Sequence, residues 1–501
     1  MDRYGQTMGE YVLGDSLGGG ARILEQGKRV SVGAYHYPAS GAVLWSDGRE
    51  MVVADDDAHT LIVSSTGGGK TESQVKPIMV SAIRRGESLL VTDTKSGELY
   101  QLAFPYLLEQ GYRRVYVLNF AQPHRSHRWN PLYLPAQLLR SPDYVERDMG
   151  EGMLSDFLSF AYGQTSKNAD PFWDEAAKDI FTSHFHFLVR YAAPEQIHLA
   201  SIARMHCEAK ENQGELYARA FSPRYIEPGS VAANAAATRV SAPKSGTAPS
   251  MDAVFLSKIN KLISSEAQQR MLCANDIDFM SLDEEKVAIF LLMPDSTRAW
   301  DLQASLFIQQ VYQQLCRLCT LRHDGRLPHR FNLIFEEFGN LSLGDTAGNM
   351  FAAARSRNIR LTAVIQNFGQ LVYRYGQELA DTIRYNTPNW IYMHTRELDT
   401  LETFSKLCGS RTYSIQGAMV TRPVASTVQL QSLELGQALV LYGRNPPFVT
   451  ELAPFSRYET GVKVLPVVYP ANPDRKAPLF SYETFFRGHD GQHLNRRVRS
   501  A

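Results

Sequence analysis

The stretch that decides the fold is residues 59–71, HTLIVSSTGGGKT. A short apolar run is followed by Ser-Ser-Thr and three glycines, and then by a lysine and a threonine where a helical pattern begins. A strand, a glycine-rich turn and the start of a helix are the setting that a phosphate-binding loop requires. Glycines let backbone N–H groups turn towards phosphate oxygens, and the amino end of the helix adds positive potential. The stretch therefore predicts a nucleotide-phosphate site.

The loop has a predicted role for each of its residues. We expect it to bind phosphate through one continuous set of residues: Ser65, Thr66, Gly67, Gly68, Gly69, Lys70 and Thr71. Lys70 is predicted to reach the β- and γ-phosphates and to act in catalysis, and Thr71 to place its hydroxyl on Mg²⁺. The usual pattern has glycine where this chain has Ser64, which weakens the literal match. The alternative is a glycine-rich turn in which the lysine is incidental.

A second candidate element is residues 332–338, NLIFEEF, an apolar run that ends in two carboxylates. A nucleotide hydrolase needs one acidic group for the metal and another for the attacking water. Because adjacent strand residues point to opposite sides, Glu336 is predicted as the metal ligand and Glu337 as the catalytic base. Glu336 is one methylene longer than the more usual aspartate, so its metal contact could be direct or through water. The alternative is a solvated pair at a strand end.

Further catalytic candidates lie later in the chain. Gln366 ends a strand-like run, where ligands bind in parallel α/β folds, and it could sense the γ-phosphate or position the water. The alternative, given equal weight, is a helix N-cap region. Arg355, Arg357 and Arg360 could contact DNA phosphates or a neighbouring subunit's γ-phosphate, and Arg355 is selected for the second role. At least one of the three is expected to be part of a solvated helix end.

Composition limits the function classes. The 501 residues contain 52 Lys plus Arg and 52 Asp plus Glu, so the formal net charge is zero. This balance argues against binding of nucleic acid by bulk charge, although not against a local basic channel. Five cysteines are too few for a disulfide scaffold and indicate a reducing compartment. No signal-peptide pattern and no apolar run of about 18 residues is visible, so we expect no membrane crossing.

The order of strand-like and helical patterns predicts an α/β fold with a parallel sheet and an all-α insertion. The predicted domains are an N-terminal β-rich segment (1–58), the first part of a nucleotide-binding domain (59–134), an inserted all-α domain (135–276), the second part of the nucleotide-binding domain (277–465) and a C-terminal tail (466–501). Inside the insertion, residues 229–250 are rich in Ala, Ser, Gly, Thr and Pro, which predicts a loop or mobile segment.

Six elements in order resemble the coupling ATPases of type IV secretion and conjugation, the VirD4/TraG/TraD family. They are residues 58–63 (AHTLIV), 91–100 (VTDTKSGELY), 129–132 (WNPL), 172–173 (FW), 335–341 (FEEFGNL) and 365–371 (IQNFGQL). In the second element a threonine replaces the family's proline and one residue is extra. The resemblance covers residues 55–455 and implies a RecA-like P-loop nucleotide-binding domain with an inserted all-α domain.

The resemblance also implies a function. Family members form hexamers around a channel and use ATP and Mg²⁺ to move DNA towards a type IV secretion channel. The implied partners are DNA, a relaxase or other secreted protein, and channel proteins. Family members usually carry an N-terminal membrane anchor, and none is visible in this sequence. An anchor that is naturally absent, separate or removed would leave a cytoplasmic protein, peripheral at the cytoplasmic face of the membrane. Two alternatives stay open: a nucleotide-gated substrate receptor with little turnover, and a soluble DNA-processing or defence motor.

Overall fold

The computed structural model describes residues 23–489 except 26, 96, 163–169, 416–417 and 473–475. The ends of the first and last predicted domains, residues 1–22 and 490–501, lie outside the described residues. The strands in chain order are β1 Lys28–Ser31, β2 Ala42–Ser46, β3 Glu50–Ala54, β4 Thr60–Ser64, β5 Ser88–Asp93, β6 Arg114–Asn119, β7 Val287–Leu292, β8 Phe331–Phe335, β9 Ile359–Ile365, β10 Asn389–His394, β11 Ser410–Ile415, β12 Ala418–Pro423, β13 Gln437–Tyr442 and β14 Phe448–Glu451.

The helices lie between these strands and, in the middle of the chain, replace them. In chain order they are α1 Lys76–Arg85, α2 Glu98–Glu109, α3 Tyr133–Leu139, α4 Tyr144–Ala161, α5 Pro171–Tyr191, α6 Leu199–Glu211, α7 Glu215–Ala220, α8 Val231–Ser241, α9 Thr247–Ile263, α10 Glu266–Leu272, α11 Asp301–Thr320, α12 Asp345–Ala353, α13 Phe368–Tyr375, α14 Gln377–Tyr385, α15 Leu398–Leu407 and α16 Thr427–Gln431, followed by a helical stretch at 482–489. None of the helices in the described ranges is both long and apolar enough to cross a bilayer.

A large sheet organises the described part of the chain. Its order is β14-β13-β10-β4-β9-β8-β5-β7-β6. Neighbours from β10 to β6 are parallel, and β13 and β14 add an antiparallel edge. Strands β4, β5, β7, β8 and β9 are buried along their whole length, as expected for parallel strands covered on both faces. Because β9 pairs in parallel with both β4 and β8, the carboxyl ends of these three strands lie at the same edge of the sheet. The parallel sheet with helices between its strands confirms the predicted α/β fold.

The chain divides into two compact units. The first comprises residues 1–121, 280–305 and 314–468, and it contains the large sheet together with the small sheet β1-β3-β2. The second comprises 122–279, 306–313 and 469–501, and its described residues form helices and loops without a strand. An all-α insertion between β6 and β7 therefore interrupts the sheet-bearing unit. The domain boundaries predicted from sequence stay predictions.

The structure corrects one expectation inside the helical unit. Most of residues 229–250 lie in α8 and the beginning of α9, where the composition predicted a loop or mobile segment, and only residues 229–230 and 242–246 lie outside these helices. The side chain of Ser230 caps α8 by accepting the N–H of Ala233 at 3.3 Å. Five of the eleven residues of α8 are alanine, the residue with the highest helix propensity. Residues 231–241 are therefore helical because alanine outweighs the turn-forming residues around them.

Part of the segment predicted as a tail is packed within the helical unit. Phe480, Tyr482 and Phe486 are buried. The hydroxyl of Tyr482 lies 2.9 Å from Nδ1 of His184 on α5, and its backbone N–H donates to Glu208 on α6 at 2.8 Å. These aromatic side chains fold back onto helices almost 300 residues earlier in the chain, a contact that local periodicity does not reveal.

Candidate functional site

The glycine-rich loop connects β4 to a helix at the carboxyl edge of the large sheet. The helix begins with a π-helical turn at Thr71–Val75 and continues as α1. Gly67 and Gly69 have φ angles of +83° and +86°, in the left-handed region that favours glycine. A Cβ on Gly68 would lie 2.2 Å from Oγ of Ser64, so a side chain would not fit there. The three glycines are thus required by backbone conformation or by space.

Ser64, the departure from the usual pattern, is the last residue of β4 and is buried. Its hydroxyl donates to the carbonyl of Ser65 at 3.3 Å. The Ser64 side chain therefore occupies the space next to Gly68.

Three residues predicted as catalytic come together beside the loop. The ammonium of Lys70 pairs with Oε1 of Glu337, and Nε2 of Gln366 donates to Oε2 of the same carboxylate at 3.2 Å. Glu337 has φ +59°, a left-handed conformation that costs a non-glycine residue about 1–3 kcal/mol. This backbone turn directly after β8 coincides with the contacts to Lys70 and Gln366. The geometry brings the three side chains together, and their catalytic roles stay predictions.

The predicted metal ligands also converge. The hydroxyl of Thr71 donates to Oε1 of Glu336 at 2.7 Å, so the longer glutamate side chain reaches the loop. Thr94 donates to the other oxygen of Glu336 at 3.3 Å, and Lys95 donates to the Thr71 hydroxyl at 3.3 Å. Hydroxyl and carboxylate oxygens are ligands that Mg²⁺ prefers, and such sites use one or two carboxylates plus phosphate oxygens and waters. The described residues contain no cluster of three or more His, Cys, Asp or Glu that could hold a metal.

Asp93, at the end of β5, supports the segment that carries Thr94 and Lys95. Its carboxylate accepts backbone N–H groups of Leu99 at 2.7 Å and Tyr100 at 3.1 Å. Burial, and to a lesser extent the charge of Glu336, raise the pKa of Asp93 to about 6 against the lowering effect of the backbone N–H donors. Its hydrogen bonds hold the start of α2, so Asp93 positions the segment.

A cavity of about 780 Å³ lies against the loop, a size typical of a small-molecule site. Its lining combines the loop with the small N-terminal sheet and with residues around β13 and β14. The lining residues are Trp45, Ser46, Asp47, Thr66, Gly67, Gly69, Lys70, Thr71, Glu72, Ser73, Lys95, Glu337, Glu434, Leu435, Gly436, Gln437, Glu451, Leu452, Ala453, Pro454 and Arg457. A ligand that binds the loop through phosphate groups could therefore place the rest of the molecule in this cavity.

Sequence reasoning missed His394, which contacts the loop from the neighbouring strand. Nδ1 of His394 lies 2.9 Å from Oγ of Ser65, and the backbone N–H of Ser65 donates to the His394 carbonyl at 2.7 Å. No motif contains this histidine, and only the pairing of β10 with β4 brings it to the loop. Lys95 was also missed, although the segment 91–100 that contains it was singled out for its family resemblance.

The arginine candidates do not join this group. Arg360 is buried at the amino end of β9 and donates to Glu87 at 3.2 Å and to Asn332 at 3.0 Å. It therefore cannot serve as an arginine finger or a DNA contact, and this expectation was wrong for Arg360. Arg355 is exposed and close enough to His59, before β4, to influence its pKa. Arg355 thus lies at the opposite edge of the sheet from its own chain's loop.

Comparison with known proteins gives one family and a consistent fold. The sequence profile of the family described as "Type IV secretory system Conjugative DNA transfer" matches residues 21–434. No curated protein sequence matches the chain.

Similar solved structures include the plasmid coupling protein TrwB with the non-hydrolysable ATP analogue ADPNP, at 16% identity and a TM-score of 0.58 over 83% of this chain and 89% of that one. TrwB with ADP and Mg²⁺ matches at 15% identity and 0.56, over 85% and 89%. VirB4 of Thermoanaerobacter pseudethanolicus matches at 14% identity and 0.51, over 84% and 98%. At these identities the likeness shows the fold alone, the RecA-like α/β architecture that the sequence predicted.

Proposed function

This chain belongs to the type IV secretory system family for conjugative DNA transfer, and on that premise we propose that it is a coupling ATPase that uses ATP to recruit DNA and pump it towards a secretion channel. The observation that carries the proposal is the convergence of Lys70, Glu337 and Gln366 beside a cavity of nucleotide size. These groups supply a cation, a carboxylate and an amide at the carboxyl edge of a parallel sheet, where α/β folds bind ligands.

In this proposal the loop residues 65–71 hold the phosphates of ATP. The backbone around Gly67 and Gly69 and the amino end of the helix favour an anion, and Lys70 adds a full positive charge. Thr71 and Glu336 would hold Mg²⁺, which neutralises phosphate charge when it is bound. TrwB has been solved with ADPNP and with ADP and Mg²⁺, which supports this choice of ligands.

Glu337 is proposed as the group that accepts the proton of the attacking water. In the structure its carboxylate is held by Lys70 and Gln366. A γ-phosphate that binds Lys70 would compete with Glu337 for the ammonium group. Loading of the loop would then release the carboxylate towards the water, while Gln366 keeps it oriented. This competition would make hydrolytic competence depend on a bound triphosphate.

The partners follow from the family. We propose a homohexamer in which Arg355 reaches the γ-phosphate site of the neighbouring subunit, because its position at the opposite edge of the sheet excludes its own site. DNA, a relaxase or other secreted protein, and channel proteins would be the interacting partners, and contact with the membrane would come through a partner or an anchor.

The test is ATP hydrolysis with and without DNA in the wild type and in two variants. We expect DNA to stimulate the wild type, and Glu337→Gln to reduce hydrolysis by about 10²- to 10⁴-fold, the contribution typical of a general base. Glu337→Gln should retain binding of a fluorescent ATP analogue, whereas Lys70→Ala should lose binding and hydrolysis together. Glu378→Gln, an exposed glutamate on α14, is the matched control and should behave as wild type.

Unchanged hydrolysis in both Lys70→Ala and Glu337→Gln would contradict the proposal. Background hydrolysis in the wild type, combined with ATP-dependent binding of a secreted protein, would favour a receptor with little turnover instead.

A further inference from the structure

We propose that Trp45 and Leu435 hold the base of the nucleotide, and that stacking on Trp45 makes the cavity prefer purine over pyrimidine nucleotides. This inference rests on the proposed function, because it names the part of the nucleotide that the cavity recognises beyond the phosphates. Neither side chain belongs to one of the sequence motifs, and neither takes part in the cluster of Lys70, Glu337 and Gln366.

Trp45 reaches the cavity from the small N-terminal sheet. The pairing of β2 with β3 is irregular before this residue. Val43 lies opposite Val53, but Trp45, two residues later, lies opposite the very next residue of β3. An extra residue of this kind is a β-bulge, which re-aims a side chain relative to the regular alternation of a strand. The indole is half-buried and lines the cavity, so the bulge directs a large aromatic side chain at the ligand space.

The indole of Trp45 is restrained before any ligand binds. The guanidinium carbon of Arg29 lies 5.9 Å from the centroid of the indole ring, which is a cation–π distance. Arg29 is itself paired with Glu50 on β3 at 3.3 Å. A side chain that is already held in place loses little conformational entropy when a ligand stacks on it.

Leu435 is the second apolar side chain of the proposed base site. It lines the cavity and is 79% exposed, so most of its surface is available to a ligand. A Cβ on Gly69 would lie 3.3 Å from Cδ1 of Leu435, so the leucine stands directly beside the phosphate loop. A base attached to phosphates in the loop would therefore cover part of this leucine.

Hydrogen bonds join the two apolar side chains into one wall. The carbonyl of Gly436, next to the leucine, accepts the N–H of Leu452 at 2.7 Å. The carbonyl of Ser46, next to the tryptophan, accepts the N–H of Ala453 at 3.1 Å. Because Leu452 and Ala453 are adjacent in the chain, the wall is continuous from the phosphate loop to the indole.

The charges along the cavity favour a nucleoside over a second anionic group. At the loop, Lys70 and the backbone N–H groups attract phosphate. The rest of the lining contains the exposed carboxylates of Asp47, Glu434 and Glu451, and the exposed guanidinium of Arg457. An excess of carboxylates repels a further phosphate, whereas the hydroxyl groups of a ribose can donate hydrogen bonds to them. The uncharged sugar and base of a nucleotide therefore suit this part of the cavity.

The two apolar side chains predict a selectivity. Bases stack on aromatic side chains through their π-faces, and a purine has two fused rings where a pyrimidine has one. The apolar area that a purine removes from water on Trp45 and Leu435 is therefore larger. We expect ADP to bind more tightly than CDP. Inorganic pyrophosphate, which has no base, reports on the phosphate loop alone.

The test is isothermal titration calorimetry of the whole chain with ADP, CDP and pyrophosphate, each in the presence of Mg²⁺. In Trp45→Ala we expect the affinity for ADP to fall about tenfold and the preference for ADP over CDP to shrink, because the stacking surface is lost. The affinity for pyrophosphate should stay within about twofold. Trp45→Phe keeps an aromatic face and should retain most of the affinity for ADP. The control Trp173→Ala removes a half-buried tryptophan of α5 that does not line the cavity and should bind ADP as wild type.

A second variant keeps the test decisive if Trp45→Ala does not fold. Leu435→Asn changes an exposed side chain, so we expect it to fold normally, to bind ADP more weakly and to bind pyrophosphate as wild type. Thermal unfolding monitored by circular dichroism checks that the compared variants are folded.

The outcomes separate this inference from the proposed function. If the folded variants bind ADP with wild-type affinity, or lose ADP and pyrophosphate equally, Trp45 and Leu435 do not hold the base, and the proposed function stands. If the wild type binds ADP and CDP equally well, the purine preference is wrong. If the wild type binds neither ADP nor pyrophosphate, both the inference and the proposed function are contradicted.

Discussion

The two edges of the large sheet contain similar cation–carboxylate pairs that have different surroundings. At the carboxyl edge, Lys70 pairs with Glu337 beside a cavity of about 780 Å³. At the amino edge, Arg360 is buried and donates to Glu87 at 3.2 Å and to Ser40 Oγ at 2.8 Å. Burial lowers the pKa of Arg360 to about 10. Both pairs are shielded from water, so shielding alone does not distinguish a reactive pair from a structural one.

The difference lies in what surrounds each pair. The amino edge has a smaller hollow of about 300 Å³, and its arginines, Arg85 and Arg330, are already paired with Asp55 and Glu87. The carboxyl edge has a glycine loop and a helix amino end beside its cavity, and their backbone N–H groups attract an anion. A cation–carboxylate pair is therefore a candidate for chemistry where the backbone beside it is arranged for a ligand.

The largest expected effect is at the amino edge, where the comparison predicts a loss of stability without a loss of binding. Arg360→Met should lower the free energy of unfolding by about 3 kcal/mol, the lower end of the range for breaking a buried ion pair, because Oε2 of Glu87 loses its buried arginine partner while Oε1 keeps Arg85 and Arg330. Urea unfolding followed by circular dichroism measures this change, and ATP affinity should stay within about twofold at a temperature where the variant is folded. The double variant Arg360→Met/Glu87→Leu should recover at least half of the loss, because it removes both charges. If Arg360→Met instead had normal stability but did not bind nucleotide, the amino edge would have a role in function, and the contrast drawn between the two edges would be wrong.

The second effect is a dependence of stability on pH that originates at the amino edge. His59 is buried before β4, its Nδ1 accepts the N–H of Leu361 at 3.2 Å, and burial, with Arg355 and Arg360 nearby, lowers its pKa to about 4. The unfolded chain binds a proton at this histidine near pH 6.5, so its contribution is present above that pH and is lost as the pH falls towards 4.

Between pH 7 and pH 5 this difference amounts to about 2 kcal/mol. His59→Asn keeps a hydrogen-bond acceptor but does not titrate. Its free energy of unfolding should therefore fall less than that of the wild type over the same interval, measured by urea unfolding at both pH values. If the free energy of unfolding fell equally in the wild type and in His59→Asn, His59 would not be the titrating group, because the two proteins share all the other histidines.

The smallest effect is at the carboxyl edge and sharpens the role of one side chain. Gln366→Ala should reduce ATP hydrolysis about tenfold, equivalent to about 1.4 kcal/mol, because Glu337 loses a hydrogen bond that orients it. Affinity for ATP should change little, since Glu337 rather than the phosphate loop is the partner. Steady-state kinetics with separate determination of nucleotide affinity checks this, and Gln377→Ala, on an exposed residue of α14, is the control. A loss of affinity with unchanged turnover would assign Gln366 to binding instead.

Much of the large sheet could be predicted from local patterns. The apolar runs at Val287–Leu292 and Phe331–Phe335 are strands at the predicted positions, because long stretches buried on both faces carry a strong signal. The ribbon β11–β12 and strand β14 were not predicted. Strands β11 and β12 are exposed at residues 410–412 and 421–423 and lack an apolar run, and β14 is only four residues long, so none of them has the pattern of a long buried strand.

The sequence predicted most of the residues that form the candidate site, but not all of the contacts between them. The loop, Glu336, Glu337 and Gln366 stand at the ends of apolar runs, and the parallel order of β4, β9 and β8 brings them to one edge. His394 had no such signal, because its contact with Ser65 depends on the place of β10 beside β4. Their catalytic and binding roles stay predictions until variants are measured.

By itself, the sequence determined which residues can carry the chemistry, because glycines, a lysine and paired carboxylates at strand ends are local features set by backbone sterics and side-chain type. Only the tertiary structure decided which of these residues meet. In the sequence Arg360 resembled a functional arginine, but in the structure it is a buried structural residue. Its burial depends on the order of the strands, which is set by long-range pairing and cannot be seen in the local sequence. The left-handed backbone of Glu337, held where Lys70 and Gln366 meet its carboxylate, is likewise a product of packing, because no local preference favours it in a glutamate.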